Sequence, residues 1–538
     1  MPRRRKLITA MLALPLVAAV ACTGEPATET SADPQGQQSF ADNRPARQGG
    51  EVTVALAEEP DALDPSLART FVGRIVFANM CEKLYDTDAN LELVPQLAAD
   101  MPDISADGTT VTIPIRRGVR FNDGTQLDAA AVKTSIERHQ NITGSARTAE
   151  LAPVQSVEVV DPMTVRLNLS QPFAPLTAIL ADRAGMIMSP AQLRKSGANF
   201  GDNPVCVGPF EFAERRAGDA IVLDRSNDYY DADQVNLDRV TFSIIEQGPV
   251  RAANLRSGEV DIAERLDTTS LEDIEAEQGL RLYEATSIGY QGITVNVGNT
   301  NGVEQPFGQR QAPIASDPRV RRAFELSLDR EAINDVVFNG RYEPSCSPIA
   351  PNSKFAPEID CGERDVEQAK SLLQEAGVQT PVPVELMLAT DQTAVRLGQV
   401  VQEMAKEAGF AVNARPTEFV SSLDLADQGN FDTFQIGWSG RVDPDGNIYD
   451  FHHSEGALNY SGAHDPEVDR MLEQARTTID TEERRQLYAD IIDAVRERAN
   501  IIYLYHENLF TGASSDIVGL QYHGDGLLRL KTAGLAAN

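Results

Sequence analysis

A chain of 538 residues is too long for one hydrophobic core, so at least two domains are expected. Lys and Arg number 48 against 80 Asp and Glu, a formal charge of -32. This balance argues against a nucleic-acid partner, which requires clustered Lys and Arg, and against flat adsorption on anionic lipid. Solubility is the ordinary reading of the charge.

Arg3, Arg4, Arg5 and Lys6 precede an apolar run from Leu7 to Ala21, followed by Cys22. The run is shorter than the roughly 20 residues that cross a bilayer, and it fits the core of an export signal covering 1–21. Ala19-Val20-Ala21-Cys22 resembles the lipobox of bacterial lipoproteins, in which the cysteine is diacylated and becomes the mature N-terminus. Ala19 departs from the usual Leu, so plain secretion is the alternative. Arg4-Arg5-Lys6-Leu7-Ile8 also resembles a twin-arginine signal, which leaves the export route open. Residues 22–49 are rich in Thr, Ser, Pro, Gly and Gln and predict a disordered tether. Its root-mean-square span of about 30 Å would hold a globular body just off the membrane.

From Gly50 strands and helices alternate. Glu51 to Ala55 reads as a strand that ends in the acidic loop Glu58-Glu59-Pro60-Asp61, and a helix follows through Phe77, Cys81 and Leu84. Val111, Ile113 and Ile115 alternate as in a half-buried strand, and Asp161-Pro162 joins Val157–Val159 to Val165–Leu169 as a hairpin. Asp317-Pro318 opens a helix whose apolar residues run from Val320 to Val337. Asp365 opens another that stops at Gly377. Asp465-Pro466 and Asp480 start two successive amphipathic helices that end near Ala499, and Ile501 to Tyr505 reads as a buried strand.

Cys81, Cys206, Cys346 and Cys361 suggest two disulfides in an exported chain, and without CxxC or nearby His spacing a zinc site is disfavoured. Three pairings are open. Cys346 and Cys361 flank a short Pro-rich segment and are natural partners, which leaves Cys81 with Cys206.

Several blocks resemble the family 5 extracellular solute-binding proteins, the dipeptide, oligopeptide and nickel binders of ABC importers. They are Leu97-Ala98-Ala99-Asp100 with Asp107-Gly108-Thr109 and Ile115 through Gly124, then Asn203-Pro204-Val205-Cys206-Val207-Gly208-Pro209-Phe210. Leu255 through Ile262 and Asp317 through Ile333 follow in the family's order. Cys206 and Val207 stand where the family has Gly and Thr. The blocks are Asp-Gly turns, glycines and helix caps, so they argue fold more than function.

The resemblance implies an α/β, two-lobed periplasmic-binding-protein-like fold of type II with an extra subdomain inserted in lobe I, closing around solute by hinge motion. By that analogy the lobe I core is 50–83, 206–289 and 500–538, the insert is 84–205, and lobe II is 290–499. Cys81 and Cys206 then sit at the two crossings into the insert. The implied partners are a short peptide or peptide-like solute and an ABC permease and ATPase complex, with a monomeric chain that touches the membrane only through its lipid anchor. No cofactor and no metal are expected.

For the ligand site, the stretch Gly437-Trp438-Ser439-Gly440-Arg441-Val442-Asp443-Pro444-Asp445, with Asn459, is similar to a loop lining the family's cleft. In peptide binders an Asp three residues after the Trp grips the peptide's ammonium; here Arg441 occupies that position. Asp443 is a substitute anchor, and Arg441 either takes a carboxylate or phosphate bidentately or pairs with Asp443 or Asp445. Trp438, the sole tryptophan, is a stacking platform or a core aromatic. Tyr290 and Glu58 are further cleft candidates. His452, His453 and His464 read as exposed loop residues, with a nickel or haem role as the lesser alternative. No nucleophile elbow, Walker loop or EF-hand pattern is complete, which disfavours an enzyme. An anionic opine, sugar phosphate or oligosaccharide is the rival ligand class, and a peptide-sensing receptor without a permease is the rival role.

Overall fold

The computed structural model describes residues 44–303 and 306–537. The export signal, the expected lipidation site Cys22 and nearly all of the tether lie outside the described residues. No helix among the described residues is long and apolar enough to cross a membrane.

Two sheets organise the chain. The first has seven strands in the order Leu280–Thr286, Asn508–Ser514, Ile262–Ala263, Glu51–Leu56, Arg239–Ile244, Ala220–Arg225, Phe210–Arg216. Glu51–Leu56 runs parallel to both of its neighbours and is almost wholly buried beyond Glu51, which suits its run of Val, Ala and Leu. A four-stranded antiparallel sheet between residues 103 and 169 is inserted into this lobe. Its Val111, Ile113, Val165 and Leu167 join one continuous core with Val54, Phe77 and Phe242 of the first sheet. The hairpin expected around Asp161-Pro162 forms, as Val154–Asp161 against Thr164–Leu169.

The second sheet has six strands in the order Glu343–Pro344, Ile501–His506, Tyr290–Val295, Thr433–Trp438, Val382–Leu388, Phe410–Pro416. Its core is separate from the first, with Ile293, Val384, Leu386 and Phe410 among its members. The strand Ile501–His506 belongs here, whereas the sequence map places 500–538 in lobe I. Every residue of that strand is buried, and it pairs with Tyr290–Val295, so the chain returns to the first sheet only at Glu507.

Local signals set most helix ends. Asp317, Asp329, Asp365, Asp465 and Asp480 each accept backbone N–H bonds at the start of a helix. The single helix expected from Asp317 to Val337 is two, Pro318–Leu326 and Arg330–Phe338, because Ser327 turns its hydroxyl back onto the Phe324 carbonyl and Asp329 caps a new start. The helix Phe71–Met80 stops short of the expected Leu84, since Cys81 is extended and joined to Cys206. Cys346 is joined to Cys361, and the two bridges have Cα separations of 5.0 and 5.5 Å.

Beside the first bridge, Gly208 lies so close to the chain that an added Cβ would fall 2.5 Å from the Met80 carbonyl. Backbone cannot yield as a side-chain tip can. Gly208→Ala is therefore expected to cost about 2 kcal/mol or more, measured by urea unfolding at fixed pH.

Candidate functional site

The chain crosses between the sheets at Ser287–Gly289 and at Glu507. The crossings are tied together by the Ser287 N–H donating to the Glu507 carbonyl at 2.9 Å. Beside this hinge the two lobes enclose a cavity of about 1040 Å³. Trp438 ends the strand Thr433–Trp438 opposite Tyr290, and Gly440 follows at φ +79°. A Cβ on Gly440 would meet the Ile288 carbonyl at 2.3 Å, so glycine lets this loop lie against the hinge.

The loop aims Arg441 into the cavity. Its backbone is clamped by Asn447, which accepts from the Arg441 N–H at 2.7 Å and donates to its carbonyl at 3.1 Å. The guanidinium lies 4.4 Å over the Trp438 ring. Its ion-pair partner is neither Asp443 nor Asp445, as the sequence suggests, but Asp182 of the inserted subdomain, with Nε 2.8 Å from Oδ2. Arg74, on the helix Phe71–Met80, donates to the other oxygen at 3.2 Å. One buried carboxylate thus joins a cation of each lobe. Burial disfavours its charge, but Arg74 and Arg441 outweigh this and hold it well below the ordinary carboxylate range. Burial brings the Arg441 guanidinium down to about 10.

The remaining sequence candidates divide. The carboxylate of Asp443 accepts two bonds from Arg484, at 2.8 Å each, and that of Asp445 accepts two from Arg476, at 2.8 and 3.0 Å. Asp443 is therefore committed to lobe II rather than standing free as a substitute ammonium anchor. Asn459 is wholly buried and spends its amide on the carbonyls of His453 and Ala463, outside the cavity lining. Tyr290 also turns away, into an aromatic cluster with Phe451 and Tyr503, because its strand alternates and Gln291 takes the cavity face. His452 and His453 are buried rather than exposed: His452 meets the Tyr503 hydroxyl at 2.7 Å, and His453 stacks on Tyr449. Trp438 and Glu58 do line the cavity, and the Trp438 indole N–H is buried without an acceptor among the described residues.

Sequence reasoning named Glu58 but missed what gathers around it in the cavity wall. There Arg265 adopts φ +50°, rare for a residue with a side chain, and places its guanidinium 5.2 Å over the Phe71 ring. Glu507, Glu264 and Glu58 surround it and hold it charged against burial. Burial pushes the Glu58 carboxyl up to about 7 despite Arg265, and it raises Glu507 as well. Arg147, Glu150, Asp182 and Arg183 gather around Arg441 elsewhere in the lining. No spacing in the sequence marks these residues, because they come from separate loops.

Residues 92–459 match the family described as bacterial extracellular solute-binding proteins, family 5 Middle. The chain is 27% identical over 497 residues to a glutathione-binding protein, GsiB, of Pectobacterium atrosepticum, spanning 90% of this chain and 94% of that one. Its fold is similar to that of DppA from Helicobacter pylori in complex with the peptide STSA, at TM-score 0.82 and 22% identity, over 91% of this chain and 99% of that one. It is also similar to AgaA of A.tumefacien R10 in complex with agropinic acid, at TM-score 0.80 and 24% identity, with the same coverage of 91% and 99%.

A carboxyl raised by burial in the folded state stabilises below its unfolded value and loses that contribution as pH rises through its folded value. For Glu58 the window runs from the ordinary glutamate value of 4.5 to about 7. Against Glu58→Gln, the wild-type chain should lose roughly 1–3 kcal/mol of relative stability across that window. Denaturant midpoints of both proteins at matched pH measure it.

Proposed function

This chain belongs to the family 5 bacterial extracellular solute-binding proteins and captures a solute for an ABC importer, and we propose that the solute is a short, glutathione-sized peptide or peptide-like zwitterion. The observation that carries this reading is that the cavity lining holds clustered charges of both signs. Arg147, Arg183 and Arg441 gather with Asp182 and Glu150, and Glu58 and Glu507 gather with Arg265. A zwitterion satisfies both clusters at once, whereas a purely anionic or purely cationic solute leaves one cluster unmatched.

Size agrees. Pockets for small molecules span about 300–1,000 Å³, so 1040 Å³ accommodates a tripeptide with bridging waters. The relatives named as glutathione-binding make glutathione the first solute to try. Asp443 and Asp445 are held in bidentate pairs with Arg484 and Arg476, so they build the cavity wall rather than stand free for solute. An opine, itself an amino-acid derivative with carboxylates, is the second reading, favoured by the same arginines.

Isothermal titration of the purified chain should show low-micromolar or tighter binding of glutathione and clearly weaker binding of the uncharged N-acetyl, C-amide form of a tripeptide. Preference for a sugar phosphate over glutathione would overturn the peptide reading. We further propose that Cys22 carries a lipid anchor on the outer face of the cytoplasmic membrane. Mass spectrometry of the mature N-terminus should find a diacylated Cys22, and an unmodified N-terminus would leave the protein simply secreted.

A further inference from the structure

The inserted subdomain of lobe I touches lobe II at a corner outside the cavity lining. There the strand Thr164–Leu169 runs on into Ser170-Gln171-Pro172-Phe173-Ala174-Pro175. The two prolines fix their own φ and hold Gln171 and Ala174, which precede them, extended, so this strap is stiff. Its start is bound to the insert: the Leu169 N–H donates to the Thr109 carbonyl at 2.8 Å and the Ser170 N–H to the Pro153 carbonyl at 2.9 Å. Its far end crosses to lobe II, where the Ala174 N–H donates to the Arg476 carbonyl at 2.9 Å.

Arg476 lies in the last turn of the helix Pro466–Thr477, whose final carbonyls have no partner within the helix. The Ala475 carbonyl accepts from Arg484 of the same lobe at 3.0 Å, whereas the Arg476 carbonyl is answered from the other lobe. The Arg476 guanidinium holds Asp445 and lies 5.3 Å from the Phe173 ring centroid. Shortly beyond the helix, Ile479 is 53% exposed and joins no hydrophobic cluster among the described residues. It packs across the lobes instead. A Cβ added at Gly108, in a turn of the insert at φ +70°, would fall 3.0 Å from Ile479 Cδ1 and 2.9 Å from Pro172 Cβ.

We propose that Arg476 and Ile479 form a latch that grips Gly108, Phe173 and Ala174 of the insert and sets how long a captured solute stays. Phe173, Ala174 and Ile479 do not line the cavity, so they are positioning residues that act through others. Arg476 passes the contact to Asp445, on the loop that carries Arg441. The strap leads through the short helix Leu176–Ile179 to Asp182, the partner of Arg441. The latch goes beyond the peptide reading and needs only that a solute is held between the lobes.

Hydrogen-exchange mass spectrometry of the whole exported chain reads the latch through the amides of residues 170–174, with the strand Thr164–Leu169 as control. In Ile479→Ser the strap should exchange about fivefold faster or more, while the control strand is unchanged. Phe173→Leu, which keeps apolar volume but loses the ring face, should act in the same direction and covers a failure of the first variant. Stopped-flow measurement with glutathione as the probe should show release accelerated to a similar degree and association nearly unchanged. Strap exchange unchanged in both variants would overturn the latch, whether or not glutathione binds. Faster exchange in the control strand as well would also overturn it, since the insert would then be merely destabilised. Faster strap exchange with unchanged release of glutathione would overturn its hold on the solute. No binding of glutathione, with the strap alone exchanging faster in Ile479→Ser, would count against the peptide reading and support the latch.

Discussion

The Asp182 carboxylate, held between Arg74 of one lobe and Arg441 of the other, is the contact on which the closed arrangement turns. A buried ion pair is weak evidence for stability as such, because desolvation takes back much of the Coulomb gain. Removing one partner is a different matter, since the remaining charge is stranded. Here Asp182 answers three arginines, at 3.2, 3.8 and 2.8 Å, so its loss would strand several buried guanidiniums at once. A solute that brings negative charge to the cluster stabilises the state in which the lobes meet more than the state in which they part, which is the differential interaction that any closure by ligand requires. Arg69, facing Asp427 across the lobes at 3.3 Å, is a more exposed contact of the same kind and counts for less.

The hinge and the acidic cluster share a piece of chain. Glu507 is the residue at which the strand Ile501–His506 leaves the second sheet and Asn508–Ser514 enters the first. Its carbonyl accepts from Ser287 on the other crossing, and its carboxylate accepts from Gln291 at 3.1 Å. Glu58 sits after the strand Glu51–Leu56 of lobe I, so Glu507 brings the crossing itself into the acidic cluster around Arg265. The basic cluster is assembled across the lobes, and the acidic cluster sits beside the hinge.

Local chemistry made much of the fold readable. Asp365, Asp465 and Asp480 cap helices where an Asp precedes a helical pattern, because the cap is a bond between residues two or three apart. The buried strand Ile501–Tyr505 announced itself by composition. What stayed hidden is what depends on distant pairing. Nothing near Arg441 distinguishes Asp443 and Asp445, its neighbours in sequence, from Asp182, its partner in space. Arg484 and Arg476 had already claimed those neighbours from the two helices that follow. Asn459 and Tyr290 lie in the right stretch of chain but point inward, and strand alternation moves the cavity face from Tyr290 to Gln291. Arg265 carries no signal at all, since its positive φ is imposed by the fold around it.

The chain's overall charge sharpens what kind of solute this cavity suits. With a formal charge of -32, the surface repels multiply charged anions on approach. Salt limits that field to about 8 Å at physiological strength. The arginine cluster lies beneath the surface, where screening is weak, so its attraction is felt only by a group that has already entered. A free polyanion meets the repulsion first and the attraction late. A zwitterion presents little net charge outside and divides into its two poles inside, one toward Arg147, Arg183 and Arg441 and one toward Glu58 and Glu507. Under the proposed reading, the acidic exterior and the inner arginine cluster act together to favour a small dipolar solute over a simple anion.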